Sequence, residues 1–128
     1  MMPFKPKHVA VISLWAEDVP TTAHFYRDVV GLSLLPHHDH RLAFDVGHGS
    51  FLVIIKGQPI PARNSEPPHF PLIAFAVEDL EKAVEHLEAH GVELPWGVET
   101  GEDSSWVKFR DPAGNLIEFV QFHKPTHH

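Results

Sequence analysis

Two stretches of the chain repeat one hydrophobic pattern. Residues 8–15 (HVAVISLW) and 72–77 (LIAFAV) are short, rich in β-branched and aromatic side chains, and too brief for a buried helix, so both predict strands. An acidic pair follows each, Glu17-Asp18 and Glu78-Asp79, and puts an Asp where a helix N-cap belongs. Beyond Asp79, Leu80, Ala83, Val84 and Leu87 recur at three- and four-residue steps and form one apolar face. Glu81, Lys82, Glu85 and Glu88 lie elsewhere on the wheel, and Gly91 supplies a left-handed cap. Beyond Asp18 the pattern predicts a helix from about Pro20 to Val30, with Phe25/Val29 and Tyr26/Val30 as i,i+4 pairs and Gly31 as its end. Pro20 falls in the first turn, where a missing N–H costs little.

Extended segments follow each helix. In the first half they are 32–35, 41–46 and 51–55, the last two joined by the turn Gly47-His48-Gly49. In the second half they are 92–94, 106–109 and 116–120, the last two joined by Asp111-Pro112-Ala113-Gly114-Asn115. The order β-α-β-β-β thus occurs twice, which makes an internal repeat of an α+β chain. Module one spans about 4–57 and module two 72–122, followed by a polar tail at 123–128. Residues 58–71 hold five of the twelve prolines and read as a stiff linker. The 128 residues suffice for one domain with a real core.

Composition then narrows the function. Ten Lys and Arg against seventeen Asp and Glu leave a net charge of −7, and the basic residues are dispersed, so nucleic acid is a poor partner. No apolar run approaches the roughly 20 residues of a membrane span. Residues 9–15 run straight into Glu17-Asp18, unlike the apolar core of a signal peptide, so a cytoplasmic location without membrane partners is expected. Cysteine is absent, which removes disulfides, thiolate zinc sites, iron–sulfur clusters and a thiol nucleophile. Twelve histidines are many, and each is a candidate for metal or proton chemistry. The cluster His37-His38-Asp39-His40 reads as a turn after Pro36, and His86/His90 as a solvated helix pair lacking the Glu of a zinc helix. No Ser-His-Asp arrangement, phosphate loop or dinucleotide fingerprint stands out.

Residues 25–32 (FYRDVVGL) and 109–118 (FRDPAGNLIE) together resemble the vicinal oxygen chelate superfamily, which includes glyoxalase I, bleomycin-resistance proteins, fosfomycin-resistance enzymes and extradiol dioxygenases. The resemblance covers about 8–122. It implies two βαβββ modules whose curled mixed sheets form a ligand cleft, and a homodimer. It also implies four metal-ligand positions, which fall here on Val11, Val53, Leu72 and Glu118. Three of these side chains have no donor atom, and one carboxylate cannot hold a divalent ion against water, so no metal cofactor is expected. A rival set is His8 and His69 with Glu118. Each His stands ten residues before its helix-capping acid, but three residues from Val11 or Leu72. That odd separation turns a strand side chain to the opposite face.

A pocket for a small molecule remains. Alternation puts Val11, Ser13 and Trp15 on one face, and Leu72, Ala74 and Ala76 on the matching one. The parity implied by the resemblance adds Arg41, Ala43, Val53 and Ile55, then Trp106, Lys108, Glu118 and Val120. Ser13, Trp15, Arg41, Val53, Trp106, Lys108 and Glu118 are the expected ligand contacts, an apolar lining with few polar groups. One reading is a small-molecule-binding protein of bleomycin-resistance type without the usual metal. The other is a glyoxalase- or dioxygenase-like enzyme for a small organic substrate. It would use a divalent ion, or Glu118 as base with Arg41 or Lys108 steadying an anionic intermediate. Glu118 buried as an ion pair with Lys108 or Arg41, and tryptophans serving only as core, are the structural alternatives.

Overall fold

The computed structural model describes residues 4, 6–35, 42–58 and 72–123. Arg41, His69, the cluster 37–40, most of the linker and the tail from 124 lie outside the described residues. The chain forms two compact units, Met1–Gln58 and Pro59–His128.

The first unit opens with β1 (Val11–Ala16). Asp18 then accepts a hydrogen bond from the Thr21 N–H and caps α1 (Val19–Phe25), with Pro20 in its first turn. The predicted helix does not run uniformly to Val30, because Tyr26–Val30 widens into a π-helical turn. The i,i+4 pairs that suggested a regular helix look alike in either winding. What decides the end is Gly31, at φ 90°, whose N–H reaches back five residues to the Tyr26 carbonyl. Next come β2 (Ser33–Leu35), β3 (Leu42–Gly47) and β4 (Ser50–Lys56). The β3–β4 hairpin turns through His48 and Gly49 at φ 55° and 83°, the left-handed pair a tight hairpin needs. The sheet order is β1-β4-β3-β2, with β1 parallel to β4 and the other pairs antiparallel. Tyr26, fully buried, packs its ring 6.4 Å from Phe44, so the helix covers the face that carries Phe44 and Leu52.

The second unit repeats the plan. β5 (Ile73–Ala76) leads to α2 (Leu80–Ala89), capped by Asp79 through the Lys82 N–H and ended by Gly91 at φ 72°. Then follow β6 (Val98–Thr100), β7 (Ser104–Arg110) and β8 (Leu116–Phe122), in the order β5-β8-β7-β6. Each unit is a four-stranded mixed sheet, as the α+β reading requires. One expected strand moves: residues 92–94 are not extended pairing partners. The Val92 N–H is taken by the Leu87 carbonyl at the helix end, and the Leu94 carbonyl by the Gly97 N–H in a turn. The strand forms six residues later, at Val98–Thr100, beyond the backbone groups those turns engage. Leu87 of α2 and Val107, Phe109, Ile117 and Phe119 of the sheet are buried, and Phe119 meets Phe75 and Phe109 edge-on.

The closing turn of this unit is built by one side chain. Asp111, 4% exposed, accepts from the Ala113 and Asn115 N–H groups on Oδ1 and from the Asn115 side-chain amide on Oδ2. Asp111 and Asn115 therefore shape the turn, as Asp and Asn beside a Pro and a Gly commonly do.

Candidate functional site

Strand register decides which expected site residues share a face. In the first unit Ser13, Val53 and Ala43 form one row across the sheet, with Trp15 and Ile55 in the next. This face points away from α1. Val53 and Ala43 are buried, Ser13 is exposed, and Trp15 is 55% exposed. The Trp15 indole lies over Gly57, where a Cβ would come within 2.8 Å of the ring, so the absent side chain makes room for it. His8 lies at the opposite end of this strand, its Nε2 beside the Gly49 turn.

In the second unit Ala74, Glu118 and Lys108 form one row, and Ala76, Val120, Trp106 and Glu99 the next. Gln121, of opposite parity, accepts from the Leu80 N–H at the start of α2, so this row too faces away from its helix. Trp106, Lys108 and Glu118 thus stand together. Val11 and Val53, with Leu72 at the entry to β5 and Glu118, include one donor group among four, a set that does not fit a held divalent ion. Among the described residues no three His, Asp or Glu side chains gather as a metal site.

Lys108 does not pair with Glu118 as the buried-pair alternative supposed. Its Nζ lies 2.8 Å from Glu99 Oε1, with the lysine side chain only 7% exposed. The same oxygen accepts from Trp106 Nε1 at 3.0 Å. Glu99 is therefore the tie that fixes both expected contacts. It sits on the edge strand β6, across from Trp106, and reaches Lys108 first. Trp96 was also missed. Lys108 Nζ and the Arg110 guanidinium carbon lie 5.4 and 5.3 Å from its ring centroid, inside cation–π range. Its signal in the sequence was a lone aromatic between Pro95 and Gly97, in a segment without periodicity.

Glu118 keeps a raised pKa. Burial is the largest cause, Lys108 opposes it, and Glu99 adds to it. Folding therefore favours the protonated carboxyl more than the unfolded chain does. The resulting destabilisation is complete above the folded-state pKa, shrinks as pH falls through it, and vanishes below about 4.5, where the unfolded carboxyl is protonated too. Glu118→Gln should accordingly raise the melting temperature at pH 7 and lose that advantage below pH 4. Melting both proteins across pH 3–8 checks this; a variant less stable at pH 7 contradicts it.

A family model described as Glyoxalase/Bleomycin resistance protein/Dioxygenase superfamily matches residues 5–119. The Escherichia coli (strain K12) protein YaeR is 30% identical over 124 residues, covering 89% of this chain and 93% of YaeR. Lactoylglutathione lyase from Agrobacterium tumefaciens has a similar structure, with TM-score 0.63, 25% identity, and coverage of 91% of this chain and 94% of the lyase. TnmS3, an antibiotic-binding protein from Streptomyces sp. CB03234, superposes with TM-score 0.72 at 23% identity over 94% of this chain and all of its own, a likeness of fold.

Proposed function

The chain belongs to the Glyoxalase/Bleomycin resistance protein/Dioxygenase superfamily, and on that footing we propose that it is a small-molecule-binding protein that works without the usual metal. The observation that carries the reading is the arrangement on the second sheet. Trp106 and Lys108 are locked by one Glu99 oxygen, and Trp96 lies within reach of two cations. Rigid aromatic faces supply contact area at little entropic cost, and fixed charges discriminate by what a wrong ligand would leave unpaired. The ligand class that suits this face is an organic molecule with a flat apolar part and an anionic or hydrogen-bonding head. Ser13, Trp15, Val53 and Arg41 are proposed as further contacts, and the protein as a cytoplasmic homodimer, scattering light at twice the 14.4 kDa chain mass.

The test is a library screen by tryptophan fluorescence. Trp106→Ala should weaken the hits by roughly 1–3 kcal/mol, the size of a buried aromatic contact. Lys108→Ala should hurt anionic hits more than neutral ones. Hits that bind both variants as well as the parent overturn the placement of the site. One equivalent of transition metal surviving dialysis, and lost in Glu118→Ala, overturns the metal-free reading.

One observation favours an enzyme instead: Glu118 combines a raised pKa with a place across from Lys108, as suits a general base beside a charge-stabilising cation. In that case a hit would turn over, and Glu118→Gln would abolish turnover while leaving binding intact.

A further inference from the structure

The other side of the second sheet holds a separate cavity of about 320 Å³, lined by Leu80, Glu81, Val98, Ser105, Gln121 and His123. It lies on the α2 side, away from the row of Lys108 and Glu118. Ser105 and His123 in its wall belong to a chain of hydrogen bonds that continues to Thr100. Ser105 Oγ is 2.9 Å from His123 Nε2, and Thr100 Oγ1 is 3.1 Å from Ser105 Oγ. The residues are distant in sequence and are joined by strand pairing: Ser105 faces Thr100 on β6 and Gln121 on β8, two residues before His123. The His123 backbone is fixed by its N–H bond to the Asp103 carbonyl.

We propose that Ser105 is a nucleophile activated by His123, in a second site that takes small carboxylic esters. Each hydroxyl has one proton to give. With neutral His123 carrying its proton on Nδ1, Ser105 donates to Nε2 and Thr100 donates to Ser105, so the histidine can take the serine proton while one serine lone pair is left to attack. Gln121 adds a donor. Its Oε1 is committed to the Leu80 N–H at 2.7 Å, so its NH₂ group is the end left over for a substrate carbonyl. Leu80 and Val98 give an apolar wall suited to a short acyl chain.

The chemistry balances with water as the only co-reactant. Ser105 Oγ adds to the ester carbonyl carbon while its proton passes to His123 Nε2. The bond to the alkoxy oxygen breaks, and that oxygen leaves with the proton from His123. Water then attacks the acyl-serine, giving its proton to His123, which returns it to Ser105 as the acid departs.

The full chain, incubated with an alkyl fluorophosphonate, should lose fluoride and form one adduct on Ser105, mapped by peptide mass spectrometry. The neighbouring Ser104, on the opposite face of the strand from the Ser105–His123 bond, is the internal control, and Ser105 should react about a hundredfold faster, the scale of general-base assistance. His123→Gln should remove that difference, and p-nitrophenyl acetate should show an acyl burst lost in Ser105→Ala. No adduct, an adduct spread evenly over serines, or labelling unchanged in His123→Gln overturns the proposal. The comparison of Ser105 with Ser104 is made in the parent protein, so it decides even where a variant fails to fold.

Discussion

Asp111→Ala should cost roughly 3 kcal/mol of stability, because one buried side chain satisfies three donors at once. Two are backbone N–H groups, of Ala113 and Asn115, and the third is the Asn115 side-chain amide. Each donor orphaned without water costs about 1–3 kcal/mol, and the turn's partial exposure lets water replace some of them. The turn also sets the register of β7 on β8, where Arg110 pairs with Leu116 and Lys108 with Glu118. Loosening it therefore reaches the proposed site as well as the core. A loss of this size should lower the melting temperature by about 10 °C or more in a chain this long. Asp111→Asn keeps the oxygen that accepts from the backbone but sets an amide against Asn115, so it should fall between parent and Ala. Urea unfolding of the three proteins checks the order; an Ala variant within about 0.5 kcal/mol of the parent, the range of an ordinary surface change, would show that the motif is not structural.

How much of this was legible follows from what each signal measures. Apolar runs and the Asp-Pro-x-Gly turn between them located β7 and β8, and the parity implied by the family resemblance put Trp106, Lys108 and Glu118 on one face, since one placed residue fixes which face every second position takes. Alternation along the first strand put Ser13 and Trp15 on one face, and the resemblance added Val53 to it. The Asp caps were readable because the capping bond is local. The π-helical turn was not, since apolar pairs four apart persist when the backbone widens. β6 was displaced because three residues are too few to show alternation, and the apolar Val92 and Leu94 offered a false one. With β6 misplaced, Glu99 had no assigned neighbour, so Lys108 was given the wrong carboxylate. The Ser105–His123 bond joins residues eighteen apart, beyond both predicted strand ends, and only the observed register brings them together.

Glu99→Ala should cost about 2 kcal/mol, and Lys108→Met in the same chain should return most of it. Removing the carboxylate strands a lysine whose side chain is 7% exposed and leaves the Trp106 indole N–H without its acceptor. Breaking a buried pair from one side costs about 3–5 kcal/mol. Glu99 itself is 35% exposed, so solvent reaches the gap and the loss is smaller. Methionine fills a similar volume without a charge, so Lys108→Met alone should be mild: it frees Glu99 to the water it already meets. The four proteins form a double-mutant cycle, read by urea unfolding, with an expected coupling of about 1–2 kcal/mol. Additive losses would mean that Lys108 finds another carboxylate once Glu99 is gone. Glu118, directly across from it on β8, is the group within reach. That outcome carries its own signature, because a Lys108–Glu118 pair would bring the raised Glu118 pKa down and reverse the pH dependence of Glu118→Gln in the Glu99→Ala background. The lysine's choice between two carboxylates is therefore what sets whether this face presents a fixed cation with a protonatable acid beside it, or a neutralised pair.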